Sequence, residues 1–340
     1  MVASPLVSIC IPVYNRADII ANTIKCVVEQ TYENLEILIV DNASTDNIEE
    51  VVSQFTDKRM QYIKNSKNLG QFGNFNRCIE VSNGDYIHIL HSDDIIPPDF
   101  IRTCIEFLES HAHVMMTCTS AKIVTITSEQ IKNFFNQNTI FNVPDGFNAL
   151  LIENFVFCPS VICRKVVFDT VGTFSLDFPY AGDYYQWLRI SKVYDIAYIS
   201  DTYINYSIGE HSETHKLTAK SMQGYEEVLE IFIRITSECS EELQEFRTDL
   251  NQAFFTYIKN LQYARILKFI RKEPFDQKKN HQLQRIALSK IKPYNISEKI
   301  RFYTCYVSIF LPVIPLIRLL FRSIKRISYK DAAYPTLCLM

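Results

Sequence analysis

The stretch Tyr86-Ile-His-Ile-Leu-His-Ser-Asp-Asp-Ile-Ile-Pro-Pro98 decides the fold of this chain. Its first five residues form a short apolar run with β-branched side chains, which predicts a buried strand. The run leads into two adjacent carboxylates, Asp93 and Asp94, before Pro97 and Pro98, which cannot continue a strand ladder. Carboxylates at a strand end can hold a divalent cation together with a phosphorylated ligand, because such cations take oxygen ligands and keep positions open for phosphate. A solvated turn before a helix is the competing interpretation.

Strands and helices alternate along the first hundred residues. Apolar runs predict strands at 6–13, 35–40 and 60–64, and helical spacing predicts helices at 20–28 and 70–81. Near-continuous apolar strands separated by helices indicate an α/β fold, a mostly parallel sheet covered by helices on both faces. Ligands of such sheets bind beyond the carboxyl ends of the strands. Tyr14, Asp41, Asp93 and Asp94 all fall at that edge, so the sequence predicts a binding site there.

The second half of the chain continues this pattern less regularly. We predict a helix after Asp99, strands within 114–126, 160–168 and 195–206, and a helix at 180–190. Asp183 falls in the first turn of that helix, where the helix dipole favours an acid even without a functional role. Residues 127–150 are polar and lack periodicity, which predicts a loop over the site. Helical spacing then runs from 217 to 269, so we divide the chain into domains at 1–215 and 216–340.

The C-terminal part is basic and partly apolar. The composition, 47% hydrophobic and 21% charged, excludes a mainly disordered chain. Residues 259–330 hold 17 Lys and Arg against three acids, which predicts an anionic partner such as a membrane surface or a nucleic acid. Residues 302–321 are mostly apolar and long enough to span a bilayer, but Pro312, Pro315 and Arg318 argue against a span. We expect in-plane contact with the membrane, with a buried helical hairpin as the alternative.

Cysteine usage and the N-terminus predict a cytoplasmic protein. The ten cysteines show no CxxC pair and no zinc-type spacing, which indicates reduced thiols. No basic region followed by an apolar one opens the chain, so we expect no signal peptide. Neither G-x-G-x-x-G after the first strand nor G-x-x-x-x-G-K-[ST] occurs, which argues against dehydrogenases and P-loop enzymes. We expect a peripheral location on the cytoplasmic face of the inner membrane.

The motifs at these strand ends together resemble the family 2 glycosyltransferases, which are inverting enzymes of the GT-A fold that occur in bacterial cell-surface polysaccharide synthesis. The matching segments are Val7-Ser-Ile-Cys-Ile-Pro-Val-Tyr-Asn15, Gln30-Thr-Tyr32, Ile39-Val-Asp-Asn-Ala-Ser-Thr-Asp46, Asn68-Leu-Gly70, Asn74-Phe-Asn-Arg77, Gly84-Asp-Tyr-Ile87 and Leu90-His-Ser-Asp-Asp94. Weaker matches follow at Pro159-Ser160, Val171-Gly-Thr-Phe174 and 182–189. The resemblance implies that 1–215 form a GT-A domain that binds a nucleotide sugar and catalyses transfer. The region 216–340 has no family signature and is expected to associate with the membrane.

The resemblance implies transfer of a sugar, with inversion, from a nucleoside diphosphate to a hydroxyl of a glycan or lipid-linked acceptor. The donor nucleotide would be UDP, dTDP or GDP. Tyr14 would stack on the nucleobase, Asp41 would bind its polar edge and Asp93 would reach the ribose. The other positions assigned to donor binding are Pro12, Asn15 and Asn76.

The resemblance also implies a divalent cation, Mn²⁺ or Mg²⁺, which offsets the charge of the departing diphosphate. Asp94 would bind this cation, and His211 could touch the cation or the diphosphate, although simple exposure explains a lone His in a polar loop equally well. Asp183 would be the general base that takes the proton of the acceptor hydroxyl.

Three residues depart from the family pattern. His91 stands where many members have an Asp, Asn42 replaces a second acid, and Gly182 replaces the Glu that usually precedes the base. His91 and Gly182 motivate an alternative function, a scaffold subunit that binds a nucleotide sugar at the membrane without turnover. Nucleic-acid binding is not expected, because the aromatic residues of the basic segment do not form a stacking platform.

Overall fold

The computed structural model of this chain describes residues 4–125, 128–208, 223–238, 251–259, 261 and 276–291. Among them the strands are β1 (Val7–Val13), β2 (Leu35–Asp41), β3 (Met60–Lys64), β4 (Tyr86–Ile89), β5 (Val114–Val124), β6 (Glu129–Lys132), β7 (Thr139–Phe141), β8 (Ile162–Arg164) and β9 (Asp195–Ser207). The helices are α1 (Ile20–Val28), α2 (Ile48–Ser53), α3 (Gln71–Val81), α4 (Phe100–Ser110), α5 (Asp145–Ile152), α6 (Val167–Val171), α7 (Gly182–Ser191), α8 (Gln223–Glu238) and α9 (Gln277–Lys290). Residues 251–259 are also helical, and Cys158–Ser160 form a 3₁₀ turn.

Within the described residues the strands form one nine-stranded sheet in the order β3-β2-β1-β4-β8-β5-β9-β7, with β6 paired to β5. β1 is parallel to both β2 and β4, and β2 is parallel to β3. β8 is antiparallel to β4 and β5, whereas β5 and β9 are parallel. The prediction of a mostly parallel α/β sheet with helices is confirmed. The carboxyl ends of β1 to β4 meet at one edge, where ligands of such sheets bind.

Burial follows from the sequence pattern of the strands and helices. Every residue of β1, β2 and β4 is buried, as expected for apolar strands covered on both faces. β3 lies at the edge of the sheet and is only partly buried. In α3, Phe75, Cys78 and Ile79 lie at helical spacing and are buried. The apolar pattern therefore identifies the first four strands and the helices α1 and α3, but not the six-residue helix α2.

The prediction of a structureless loop at 127–150 is wrong. In the described part of this segment β6 pairs with β5, β7 pairs with β9, and α5 begins. β6 and β7 are short and mostly exposed or half-buried, so they carry no hydrophobic alternation that a sequence could reveal. Their extended conformation follows instead from backbone pairing with the long strands β5 and β9.

The chain divides into two compact units, Met1–Phe147 with Val156–Ser212, and Asn148–Phe155 with Glu213–Met340. In the second unit, the side chain of Asn280 donates to the carbonyl of Leu261 over 3.1 Å. Of the helices that the structure describes, none is long and apolar enough to cross a membrane. The apolar run 302–321 lies outside the described residues, and so does the predicted boundary between 215 and 216.

A buried carboxylate organises the turn that precedes β4. Glu36 of β2 accepts hydrogen bonds from the Ser8 hydroxyl and from the backbone amides of Asn83 and Gly84. A side chain at Gly84 would not fit, because its Cβ would lie 2.6 Å from the Ser8 amide nitrogen. Burial acts to raise the pKa of Glu36, but these hydrogen bonds hold the pKa below its ordinary value. The charged form of Glu36 therefore joins β1, β2 and the start of β4.

We expect Glu36→Gln to lower the free energy of unfolding by about 1–3 kcal/mol at neutral pH, because its amide would face backbone N–H donors that need an acceptor. The pKa of Glu36 is depressed in the folded state, so its stabilisation is present above the unfolded-state pKa of about 4.3. That stabilisation is lost as the pH falls through the folded-state value.

Urea unfolding across this pH range measures the difference between wild type and Glu36→Gln, which should shrink toward acid pH. The exposed Glu33 offers the control Glu33→Gln, which should change stability by less than about 0.5 kcal/mol. A difference for Glu36→Gln that stays constant with pH would contradict this account.

Candidate active site

The loop after β4, residues 91–95, is tied to the end of β9. The backbone amide of Ser207 donates to Asp94 Oδ1 over 2.8 Å. The next residue, Ile95, forms an antiparallel bridge with Asn205. The last residues of the longest strand therefore fix the position of the Asp94 carboxylate.

Helix α1 and the turn after it support the same loop from another side. The Thr23 hydroxyl lies 3.0 Å from the carbonyl oxygen of Asp94. The Gln30 side chain donates to the carbonyl of Pro97 over 2.8 Å and accepts from the amide of Ile101 over 3.2 Å. The Gln30-Thr-Tyr motif thus holds the path of the chain from the acidic loop into α4.

His91, Asp93 and Asp94 form a cluster whose possible ligand atoms lie within 4.8 Å of one another. Asp94 is 1% exposed, and its Oδ2 has no hydrogen-bond partner among the described residues. Burial and then the charge of Asp93 raise the pKa of the Asp94 carboxyl well above its usual range, against the effect of the Ser207 amide. A buried carboxylate oxygen without a partner fits a divalent cation, because positive charge would stabilise the ionised form.

The carboxylate at the end of β2 is already engaged by the protein. Asp41 is fully buried, and its Oδ1 accepts from the Ser44 amide over 2.9 Å. Its Oδ2 accepts from the Tyr62 hydroxyl over 2.6 Å, and the Lys64 ammonium lies 3.7 Å away. Burial, and next the hydrogen bond to Asp41, raise the pKa of Tyr62, so the phenol remains a donor. Any ligand contact of Asp41 would share a carboxylate that also fixes the end of β2.

The end of β1 presents an exposed aromatic ring beside a tied loop. Tyr14 follows β1 directly and is 44% exposed, whereas Pro12 is buried within the strand. Asn15 adopts a left-handed φ of 52°. Its Oδ1 accepts from the Thr45 amide over 2.8 Å, and its own amide donates to the Ser44 hydroxyl over 2.9 Å. Asn15 therefore joins the loops after β1 and β2 and leaves the Tyr14 ring accessible.

Asn42 has a structural role that an acid could not fill. Its Nδ2 donates to Asn68 Oδ1 over 2.9 Å and to the carbonyl of Gly70 over 3.1 Å. Its Oδ1 accepts from the Leu69 amide over 2.8 Å. A carboxylate has no N–H to offer these two oxygens. The amide at 42 thus holds the 68–70 turn that leads into α3.

The side chain of Asn76 is hydrogen-bonded to the backbone of another segment. Its Nδ2 donates to the carbonyl of Phe174, and its Oδ1 accepts from the amide of the same residue, both over 2.9 Å. This pair ties α3 to the turn between α6 and α7, across 98 residues of sequence. The predicted contact of Asn76 with a donor stays a prediction.

The charges of Asp183, the predicted base, and of Asp94, the predicted metal ligand, both affect the pKa of the buried Cys158 thiol. Asp183 is half-buried in the first turn of α7, and its Oδ1 accepts from the Tyr184 amide over 2.7 Å. Burial, then the charge of Asp183, then that of Asp94, raise the pKa of the Cys158 thiol. The structure therefore brings Asp94 and Asp183 within electrostatic range of Cys158, although 88 residues separate them in the sequence.

Gly182, immediately before Asp183, packs against an aromatic ring. A Cβ at this position would lie 2.7 Å from a ring carbon of Phe72. The Phe72 ring stacks on Phe174 at a centroid distance of 5.6 Å and meets Phe75 edge-on at 5.5 Å. Phe72 thus occupies the space that a longer side chain at 182 would need, which explains glycine there.

The sequence pattern marks His91 only as a departure from the family and does not place it in the site. The signal for a shared cluster is its spacing, two residues before Asp93 in one loop. His211, the predicted second metal contact, lies outside the described residues.

The chain is similar in sequence to known glycosyltransferases. The model of glycosyl transferase family 2 matches residues 8–172. The Escherichia coli protein named UDP-Glc:alpha-D-GlcNAc-diphosphoundecaprenol beta-1,3-glucosyltransferase WfaP is 32% identical over 189 residues, 54% of this chain and 70% of the relative. An uncharacterized glycosyltransferase from Haemophilus influenzae is 29% identical over 216 residues, 60% of this chain and 66% of that protein.

The fold is also similar to that of solved structures. The mannosyltransferase PcManGT from Pyrobaculum calidifontis, solved in complex with GDP-Man and Mn²⁺, superposes with a TM-score of 0.59 at 15% identity. The superposition covers 99% of this chain and 86% of that one. At this identity the likeness shows the fold, which is the GT-A fold that the sequence motifs predict.

We expect Gly182→Ala to cost about 1–3 kcal/mol of stability, because the added methyl group must displace the Phe72 ring. The cost should be smaller when Phe72 is first replaced by Leu, since the smaller side chain leaves space. Urea unfolding of wild type, Gly182→Ala, Phe72→Leu and the double variant gives the coupling energy between the two positions. An equal cost of Gly182→Ala in both backgrounds would show that Phe72 does not set the requirement for glycine.

Proposed function

This chain belongs to glycosyl transferase family 2, and we propose that it transfers a sugar from a nucleoside diphosphate to an acceptor hydroxyl with inversion. One observation carries the proposal: in the loop after β4 the buried Asp94 Oδ2 has no hydrogen-bond partner among the described residues and belongs to a cluster with His91 and Asp93 that could hold a cation. Asp94 would help to hold the donor diphosphate, and Asp183 would receive the acceptor proton. Sugar transfer requires both tasks in one site, because donor and acceptor must be held in contact.

Donor binding is proposed at the carboxyl ends of β1 and β2. The exposed Tyr14 ring offers a face on which a nucleobase can stack. Asp41 would accept from the base edge and keep its bond from Tyr62, and Asp93 would reach the ribose. Asn15, with the buried Pro12 and the backbone clamp of Asn76, would shape the surrounding wall. The E. coli relative is named for UDP-Glc and PcManGT was solved with GDP-Man, so UDP, dTDP and GDP all remain candidates.

Metal binding is proposed at the loop after β4. Asp94 would hold a divalent cation, Mn²⁺ or Mg²⁺, and Asp93 would add one carboxylate oxygen while its other oxygen reaches the ribose. When bound, such a cation supplies Lewis-acid charge that offsets the negative charge of the departing nucleoside diphosphate. The Ser207 amide occupies Asp94 Oδ1 and so leaves Oδ2 available. His211 is retained as a proposed further contact.

Proton transfer is proposed at Asp183. Its carboxylate would accept the proton of the attacking hydroxyl, a contribution of roughly 10²–10⁴ in rate. Inversion needs a single such base, whereas a double displacement would need a nucleophile beneath the anomeric carbon. The packing of Gly182 against Phe72 fixes the first turn of α7, which restricts where the Asp183 carboxylate can lie.

The proposed acceptor is a lipid-linked oligosaccharide of surface polysaccharide synthesis. The E. coli relative is named for a diphosphoundecaprenol acceptor. The segment 259–330, with 17 basic residues, would attract an anionic membrane, and each basic group that reaches the surface would contribute about 1 kcal/mol. We propose that 1–215 carry out catalysis and that 216–340 hold the chain peripherally on the cytoplasmic face of the inner membrane.

We expect Asp183→Asn to reduce transfer by about 10²–10⁴-fold while nucleoside diphosphate binding stays unchanged, because only proton acceptance is lost. The assay measures transfer from UDP-, dTDP- and GDP-sugars to a polyprenyl-diphosphate acceptor, and calorimetry measures binding of the nucleotide. Asp169 is an exposed acid in the first turn of α6, so Asp169→Asn is the matched control and should retain activity. Full activity of Asp183→Asn would exclude its role as the base. A wild-type chain that binds nucleotide but transfers nothing would favour the scaffold function instead.

A further inference from the structure

We infer that His91 is a nitrogen ligand of the proposed cation and that it makes the site prefer Mn²⁺ to Mg²⁺. The inference rests on the proposed function and specifies its metal requirement. His91 occupies a position where many members of the family have an acid, so a carboxylate ligand would be exchanged for an imidazole rather than lost.

The first support is the arrangement of the donor atoms. One possible donor atom from each of His91, Asp93 and Asp94 lies within 4.8 Å of the other two. His91 Nδ1 lies 3.5 Å from Asp94 Oδ2, a separation suited to two neighbouring ligands of one ion. All three side chains belong to a single loop, whose position is set by the Ser207 amide.

The second support is unsatisfied polarity. Asp94 Oδ2 and His91 Nε2 are both buried atoms without a hydrogen-bond partner among the described residues. Leaving a buried polar atom unpaired is costly, so such atoms indicate a partner that binds there. The Asp94 side chain is 1% exposed, so water does not offset that cost.

The third support is the orientation of the imidazole. The Phe75 ring packs against His91 at a centroid distance of 5.7 Å with an interplanar angle of 31°. The His91 side chain retains 23% exposure, so the residue is not sealed from solvent. Packing against a ring restricts the rotamers of His91 and keeps a nitrogen beside the Asp94 carboxylate, as expected for a prepared ligand.

The chemistry of imidazole gives the metal preference. Mg²⁺ favours oxygen ligands in near-ideal octahedral geometry and loses water reluctantly. Imidazole nitrogen suits transition metals, and affinity for a nitrogen-containing site rises from Mn²⁺ toward Cu²⁺ in the usual order. A site with one nitrogen and two carboxylates should therefore discriminate against Mg²⁺ more strongly than a site of three carboxylates.

The test is pulsed electron paramagnetic resonance on the full chain with MnCl₂ and either UDP or GDP. Wild type should show coupling of Mn²⁺ to a ¹⁴N nucleus, and His91→Asp should lose it while still binding Mn²⁺ through its new carboxylate. The exposed His113 provides the control His113→Asp, which should keep the coupling. In competition with MgCl₂, the concentration that displaces half of the Mn²⁺ should be at least about 10-fold lower for His91→Asp than for wild type.

The outcomes separate this inference from the proposed function. If wild type binds Mn²⁺ without nitrogen coupling, or if the coupling persists in His91→Asp, His91 is not the ligand. Either result overturns this inference and leaves the proposed metal site standing. Failure of wild type to bind Mn²⁺ with either nucleotide overturns both the inference and the proposed metal site. His91→Gln provides the same spectroscopic comparison if His91→Asp does not fold.

Discussion

The hydrogen bond from the Ser207 amide to Asp94 Oδ1 is the contact on which the rest of the candidate site depends. It joins the loop after β4 to the end of β9, so the two halves of the sheet meet at the acidic cluster. Because the Ser207 amide occupies Oδ1, Oδ2 is the Asp94 oxygen that has no hydrogen-bond partner among the described residues. The adjacent Ile95–Asn205 bridge extends this attachment by two backbone hydrogen bonds, which limits how far the loop can move.

The carboxyl edge of the sheet is built from side-chain amides that act as backbone clamps. Asn15 joins the loops after β1 and β2, and Asn42 holds the turn before α3. Asn76 then ties α3 to the turn before α7 through both of its polar atoms. Side-chain amides that are hydrogen-bonded in this way hold a loop without adding a charge. Such clamping gives Tyr14 and Asp183 the fixed surroundings that the proposed nucleobase stacking and proton transfer require.

The sequence predicted the first four strands, their parallel pairing and the acids at their ends, because buried strands carry continuous apolar runs that end abruptly at polar residues. It could not predict the pairing of β6 and β7, whose residues have no alternation. It could not predict the Gly182–Phe72 packing or the Asn76–Phe174 clamp either. Those contacts join positions about a hundred residues apart, and no local pattern reports them. His91 illustrates the same limit. The family pattern shows it only as the replacement of an acid, whereas the structure places its side chain next to the Asp94 carboxylate.

Thermal stability of wild type and Asp94→Asn with UDP, dTDP or GDP, each with and without MnCl₂, tests the central claim most directly. A ligand that binds only the folded state must raise the melting temperature. The account predicts that one of these nucleotides stabilises wild type only when Mn²⁺ is present, and that Asp94→Asn, which keeps an acceptor for the Ser207 amide, shows no such shift. No stabilisation of wild type by any of the three nucleotides, or an equal shift in Asp94→Asn, would contradict it.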